Sequence, residues 1–272
     1  MGKISDALER QKKESTLKAE RIPVGRPDEP FKKEPETPPA KKILIPSSFN
    51  HKLVVVTAPD SFEAENFKLL RAQIMFKRDR KKSRTIMVTS AIPGEGKTFV
   101  AANLAVSIAL GIDEHVLLVD CDLRRPDLHK MFGLSNAGGL REYLSAKKDL
   151  SDLLVRTSID KLSLLTAGKP PHNPSELLAS ETMKSFLEEI RDRYEDRFII
   201  IDTAPSQVLT EANVLSNFVD GIIFVIKDQV TPREPIQKAI ENLGKDKILG
   251  LVYNGYSEGY KSYGRYYKSY YQ

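Results

Sequence analysis

Residues 90–105 read SAIPGEGKTFVAANLA. The preceding TIMV at 85–88 is a short β-rich apolar run and a helical pattern follows, so the stretch predicts strand, loop and helix in succession. Within it, Ala91 to Thr98 form A-x-x-x-x-G-K-T, a phosphate loop. Gly94 and Gly96 free the backbone to turn successive N–H groups inward, and the helix N-terminus adds partial positive charge; together they make a cradle for polyphosphate. Lys97 is expected to reach the β- and γ-phosphates of ATP and Thr98 to ligate Mg2+, with Pro93, Gly94, Glu95, Gly96 and Phe99 completing the ATP-binding stretch.

Further apolar runs alternate with helical patterns: HVLLV at 115–119, LSLL at 162–165, FIII at 198–201, GIIFVI at 221–226 and ILGLV at 248–252. Continuous rather than alternating hydrophobicity means that both faces of each strand are covered. The fold class is therefore doubly wound α/β with a mostly parallel sheet. Helix starts agree: Asn173, Pro174 and Glu176 supply an N-cap, an N1 proline and an N3 acid, and Thr231, Pro232 and Glu234 repeat the arrangement.

The second strand ends HVLLVDCDLRRP, with Asp120 and Asp122 two residues apart on an extended segment, so both carboxylates face one side. At the carboxyl end of a strand beside the cradle, such a pair suits magnesium and an attacking hydroxyl. Arg124 and Arg125 follow as counter-charges, and Cys121 points the opposite way as a packed residue. FIIIDTAP presents Asp202 at the same edge, as a Walker B acid that holds magnesium through water.

Composition bounds the rest. With 272 residues and 40% hydrophobic content the chain can fill the core of one large α/β domain. The net charge of +5 is too modest and scattered to choose among acidic partners. One cysteine excludes an internal disulfide framework and fits a cytoplasmic compartment, and the four histidines show no metal-ligand spacing. No apolar run approaches the ~18 residues of a membrane span, so membrane contact is expected through a partner. Residues 1–20 read as a charged N-terminal helix, either solvated or docked to a partner. Residues 21–50 read as a proline-rich linker, 51–255 as the nucleotide-binding domain and 256–272 as a disordered tail.

That tail holds seven tyrosines, Tyr256, Tyr260, Tyr263, Tyr266, Tyr267, Tyr270 and Tyr271, and no Leu, Ile or Val. Extended, its seventeen residues span at most about 55 Å, enough to reach the site of an adjacent subunit.

The combination of A-x4-G-K-T, DCDLRRP, IIIDTAP, PPHNPSELL and a terminal tyrosine cluster resembles the bacterial tyrosine kinases, the BY-kinase (CpsD/CapB) family, over roughly residues 50–272. The opening MGKISDALER further resembles the XrtA-associated (PEP-CTERM) tyrosine autokinases. The resemblance implies a P-loop fold of the MinD/ParA-like type and an ATP- and Mg2+-dependent protein-tyrosine kinase that phosphorylates its tail cluster in trans. It also implies control of exopolysaccharide biosynthesis and export, with a separate membrane polysaccharide co-polymerase as activator. A protein-tyrosine phosphatase, a homo-oligomer of neighbouring subunits and a location at the inner face of the bacterial cell membrane are expected alongside. By position, Lys97, Asp120, Asp122 and Asp202 become the catalytic residues, Thr98, Asp122 and Asp202 the metal ligands, and Arg124 and Asn254 further ATP contacts, Asn254 at adenine. Glu65, Lys68 and Arg71 match an oligomerisation motif E-x-x-R-x-x-R, with Lys68 departing from it. DTAP stands where DTPP is usual, and Glu211 where Asp is frequent.

Two other readings compete. A MinD/ParA-like ATPase switch shares the sheet, but its early loop lysine is replaced here by Ile92. A non-enzymatic scaffold would use the tyrosine and basic residues of the tail, with KRDRKKSR at 77–84, to bind nucleic acid, which the intact phosphate loop disfavours.

Overall fold

A computed structural model describes residues 49–76, 84–146, 148–193 and 197–256. The expected N-terminal helix, nearly all of the linker, most of the 77–84 run and the tail tyrosines from Tyr260 onward lie outside the described residues.

The chain enters through a short helix α1 (Val54–Thr57) and a longer α2 (Phe62–Phe76). Strand β1 (Thr85–Ser90) leads through the phosphate loop into α3 (Lys97–Ala109), then β2 (His115–Asp120). Three short helices follow, α4 (Leu128–Met131), α5 (Leu140–Ala146) and α6 (Leu150–Leu153), before β3 (Val155–Arg156) and β4 (Leu162–Leu165). The second half runs α7 (Pro174–Leu178), α8 (Glu181–Arg193), β5 (Arg197–Asp202), α9 (Glu211–Leu215), β6 (Gly221–Lys227), α10 (Arg233–Leu243) and β7 (Ile248–Asn254).

Among the described residues the strands form one sheet of order β3-β4-β2-β5-β1-β6-β7, parallel throughout except where β3 pairs antiparallel with β4. All six expected strands are present. The sequence reading missed only β3, whose Val155 and Arg156 are too short a run to show periodicity.

Two cores explain the unbroken apolar runs. Along β1, Ile86 and Val88 enter one core with α3 while Met87 enters the other with α8 and α10. The same alternation sends Val116 and Leu118 of β2, and Ile200 of β5, to the α3 side, with Leu117, Val119, Ile199 and Ile201 opposite. Since side chains alternate along a strand, Asp120 and Asp202 continue the series on the α3 side. Cys121 takes the other parity and is wholly buried in the opposite core.

One helix start shifts. α7 begins at Pro174 with Asn173 at its N-cap position, as expected, although no side-chain capping bond forms. α10 instead begins at Arg233 with Pro232 as N-cap. The Thr231 hydroxyl, expected to cap that helix, forms no cap and instead donates to Glu95 Oε1 in the phosphate loop.

Candidate active site

The phosphate loop has the backbone that its glycines predict. Gly94 and Gly96 adopt φ of 84° and 93°, the left-handed region closed to most side chains. Gly96 is needed for space as well: a Cβ there would lie 2.0 Å from Asn254 Nδ2. Asn254, at the end of β7, donates from Nδ2 to the Glu95 carbonyl at 2.8 Å, so it braces the loop from outside.

Three carboxylates converge on Lys97 and have different surroundings. Lys97 Nζ pairs with Asp122 Oδ2 at 3.1 Å, both side chains largely buried. Asp120 is wholly buried; its Oδ1 accepts the Asp122 N–H at 3.1 Å and its Oδ2 the Leu128 N–H at 3.3 Å, which shapes the loop after β2. Asp202, also wholly buried, finds no full hydrogen-bond partner for either oxygen among the described residues, although the Thr98 hydroxyl is near enough to ease its ionisation.

The charges follow this geometry. Burial pushes Asp120 well above the ordinary carboxylate range, and the charges of Asp202 and Asp122 add to it. Asp202 is pushed by burial to about 6, with Lys97 and Thr98 pulling it back. Burial alone would depress Lys97; Asp202, Asp122 and Asp120 together outweigh it and hold its ammonium above the usual value. A buried acceptor pair without donors is the environment a cation relieves, so Asp202 beside Thr98 fits a hydrated Mg2+. No cluster of three or more His, Cys, Asp or Glu ligands gathers among the described residues. Magnesium in phosphoryl-transfer sites characteristically takes one or two carboxylates plus substrate phosphates.

Arg124 faces elsewhere in this structure. Its Nε pairs with Glu211 Oε1 at 2.7 Å and its Nη2 donates to Ser175 Oγ at 3.1 Å, while Ser175 Oγ donates to the same Glu211 oxygen at 2.9 Å. Glu211 thereby joins the loop after β2 to α7 and α9. Phe99 packs edge-to-face on Phe67 of α2, with ring centroids 5.6 Å apart. Of the expected oligomerisation residues, Lys68 pairs with Glu65, and Arg71 Nη1 donates to the Ser107 carbonyl near the end of α3 at 2.7 Å. Tyr256 is exposed, two residues beyond Asn254.

The sequence reading missed one wall of the site. A cavity of about 340 Å³ beside Lys97 and Thr98 is also lined by Asn50, Lys52, Asp127 and Lys130. Asn103 holds that wall: wholly buried, it accepts the Val55 N–H at 3.2 Å and donates to the Lys52 carbonyl at 2.8 Å. Asn103, one of two polar residues with Ser107 in the mostly apolar run VAANLAVSIA, was the available signal.

The AAA-domain family profile matches residues 83–246. Tyrosine-protein kinase YwqD of Bacillus subtilis is 37% identical over 211 residues, 77% of this chain and 88% of that protein. The chain belongs to the bacterial tyrosine kinase family. Another member, the putative tyrosine-protein kinase CapB of Staphylococcus aureus, is 34% identical over 74% of this chain and 88% of its own. Tyrosine-protein kinase etk of Escherichia coli is 31% identical, but this chain spans only 30% of it. Among solved structures, this family member superposes on the chimerical protein CapA2B2 with a TM-score of 0.70 and 33% identity, covering 80% of this chain and 96% of that one. The kinase domain of Escherichia coli ETK also gives 0.70, at 32% identity, over 76% and 84% of the two chains. MinD from Pyrococcus horikoshii, complexed with Mg-ADP, shares the fold at a TM-score of 0.52 and 22% identity. Among the described residues of this kinase, no helix is long and apolar enough to cross a membrane.

Proposed function

We propose that this kinase transfers the γ-phosphoryl group of ATP to tyrosines of its own tail, presented by a neighbouring copy, as part of the control of exopolysaccharide assembly and export. The observation that carries the reading is the convergence of Lys97, Asp122 and Asp202 at the mouth of a phosphate loop, in a chain whose tail is crowded with phenols.

In the transfer, the phenol oxygen forms a bond to the γ-phosphorus as the bond to the bridging oxygen breaks and ADP departs. The phenolic proton passes to a carboxylate or to water. Loop N–H groups and Lys97 hold the phosphates. Asp122, now paired with Lys97, is released to the acceptor side when the lysine engages phosphate. Asp120 holds the shape of the loop that carries Asp122. Thr98 and Asp202 would hold Mg2+, which when bound neutralises phosphate charge. A phenol has a pKa near 10, so orienting its oxygen contributes more than removing its proton.

Each added phosphate brings about −1.5 to −2 charge, so a few modifications reverse the sign of a tail whose basic residues are Lys261, Arg265 and Lys268. Loss of subunit association with progressive modification is the proposed consequence, with a separate membrane co-polymerase as activator, a phosphatase as the reversing partner and α2 residues Glu65, Lys68 and Arg71 at the subunit contact. Incubation with ATP and Mg2+, followed by phosphotyrosine detection, tests the reading. Wild type should label, Lys97→Met should not, and truncation after Gly255 should remove the label while leaving ATP binding. A preparation that binds ATP and stays unlabelled, with and without a membrane activator, refutes it.

A further inference from the structure

Glu95 is wholly buried although its loop neighbours Pro93 and Gly94 are exposed. Its side chain turns away from the cradle. Oε2 accepts the Ile92 N–H at 2.8 Å, and Oε1 accepts both the Lys227 N–H at 3.2 Å and the Thr231 hydroxyl. Lys227 ends β6, and Thr231 lies in the turn before α10. That turn is tied in its own right to the end of β7, because the Asp228 N–H donates to the Asn254 carbonyl at 2.9 Å. Asn254 then returns to the loop through its 2.8 Å bond to the Glu95 carbonyl. Loop, turn and strand end thus form a closed ring of hydrogen bonds.

A loop with two glycines at positive φ has much conformational freedom to lose when it wraps a polyphosphate, and ordering on binding subtracts from affinity. A carboxylate offers acceptors only, which matches the three donors around Glu95. Glutamine would set an amide N–H2 against one of them. We propose that Glu95 is a positioning residue: its carboxylate, held by Ile92, Lys227 and Thr231, fixes the phosphate loop in its nucleotide-binding shape before ATP arrives. The inference rests on the kinase reading for its turnover readout alone; its binding readout stands without it.

Thr231→Val removes the hydroxyl at nearly constant shape, Thr231→Ser retains it, and Glu95→Gln alters the acceptor itself. Three quantities are measured: affinity for a fluorescent ATP analogue with Mg2+, melting temperature without nucleotide, and KM for a synthetic peptide of residues 255–272. One buried hydrogen bond left half-made corresponds to about a tenfold loss. Thr231→Val should therefore bind nucleotide about tenfold more weakly, Glu95→Gln more weakly still, and Thr231→Ser near wild type. Peptide KM should stay near wild type, and melting temperature in Thr231→Val should fall by no more than the few degrees that one lost bond implies. Wild-type nucleotide affinity in Thr231→Val overturns the proposal, and so does a loss of affinity in Thr231→Ser equal to that in Thr231→Val, which would take the hydroxyl out of the explanation. Should Glu95→Gln fail to fold, the Thr231 pair decides. A wild type that binds nucleotide without labelling the peptide defeats the kinase reading and leaves this one to be judged on affinity.

Discussion

Asp120 and Asp202 are direct register partners on the adjacent strands β2 and β5, and both side chains are wholly buried. The sheet therefore concentrates negative charge beside its phosphate loop, with Lys97 as the cation set among the acids. That arrangement is costly in the free protein and is of the kind that bound metal and nucleotide would relieve, so function and stability should separate on mutation.

Asp202→Asn tests this separation. With its value raised from 3.8 to about 6, the folded chain binds the extra proton in that window, so this group's contribution to stability is full at low pH and lost as pH rises through about 6. The variant is expected to melt higher than wild type at neutral pH without nucleotide, by about 3 °C for each kcal/mol recovered. The difference should shrink in acid, and the Mg2+-dependent gain in nucleotide affinity should disappear. Calorimetry across pH gives the answer, and a lower melting temperature at neutral pH contradicts the account.

Lys97→Met should do the opposite. Its raised value means that its contribution is complete at neutral pH and is lost only as pH climbs past the ordinary 10.5 through its folded value. Removing the cation leaves Asp122 and Asp202 without it, a loss of about 3 kcal/mol for a broken buried pair. Adding Asp122→Asn should recover part of that in urea titrations. Equal losses in the single and double variants would show that the pair at 3.1 Å is not coupled.

Gly96→Ala faces two obstacles, a Cβ at 2.0 Å from Asn254 Nδ2 and a φ of 93°. The left-handed backbone alone costs a side chain about 1–2 kcal/mol. Nucleotide binding should fall sharply and remain low in Gly96→Ala with Asn254→Ala, because relieving the clash leaves the strain. Full recovery in the double variant would assign the glycine to space alone.

Glu211→Gln should loosen the loop after β2. Burial pushes Glu211 upward, but the hydrogen bonds from Arg124, its own backbone N–H and Ser175 more than compensate and hold it below the ordinary 4.5. Its contribution is thus present above that value and lost as pH falls through the lower folded one. Because Arg124 is partly exposed, the expected cost is on the order of 1 kcal/mol at neutral pH, vanishing in acid. Chemical denaturation at two pH values measures it; an equal cost at both removes the charge from the explanation.

The local chemistry of the site was legible early. Gly94, Gly96, Lys97, Thr98 and the acids at two strand ends each announce themselves through spacing and a neighbouring apolar run. Thr231 shows where such reading stops: TPRE has the pattern of a capped helix, yet a buried carboxylate 136 residues away takes the hydroxyl. Arg124 was read as a counter-charge and, by resemblance, as an ATP contact; in this structure Glu211, 87 residues on, holds it. Asn50, Lys52 and Lys130 carried no motif at all, because a cavity wall built from two segments far apart in the chain leaves no spacing to detect.

By itself the sequence determined a doubly wound sheet, since unbroken apolar strands must be covered on both faces, and a polyphosphate cradle, since glycines before Lys-Thr at a helix start have few other uses. Only the tertiary structure distributed the charges. Parity along β2 and β5 puts Asp120 and Asp202 on the α3 side, register brings them level, and burial separates an acid whose oxygens are spent on backbone N–H groups from one whose oxygens remain open. Those differences depend on solvent exclusion and on partners far apart in the chain, and neither is encoded in the spacing of residues within a motif.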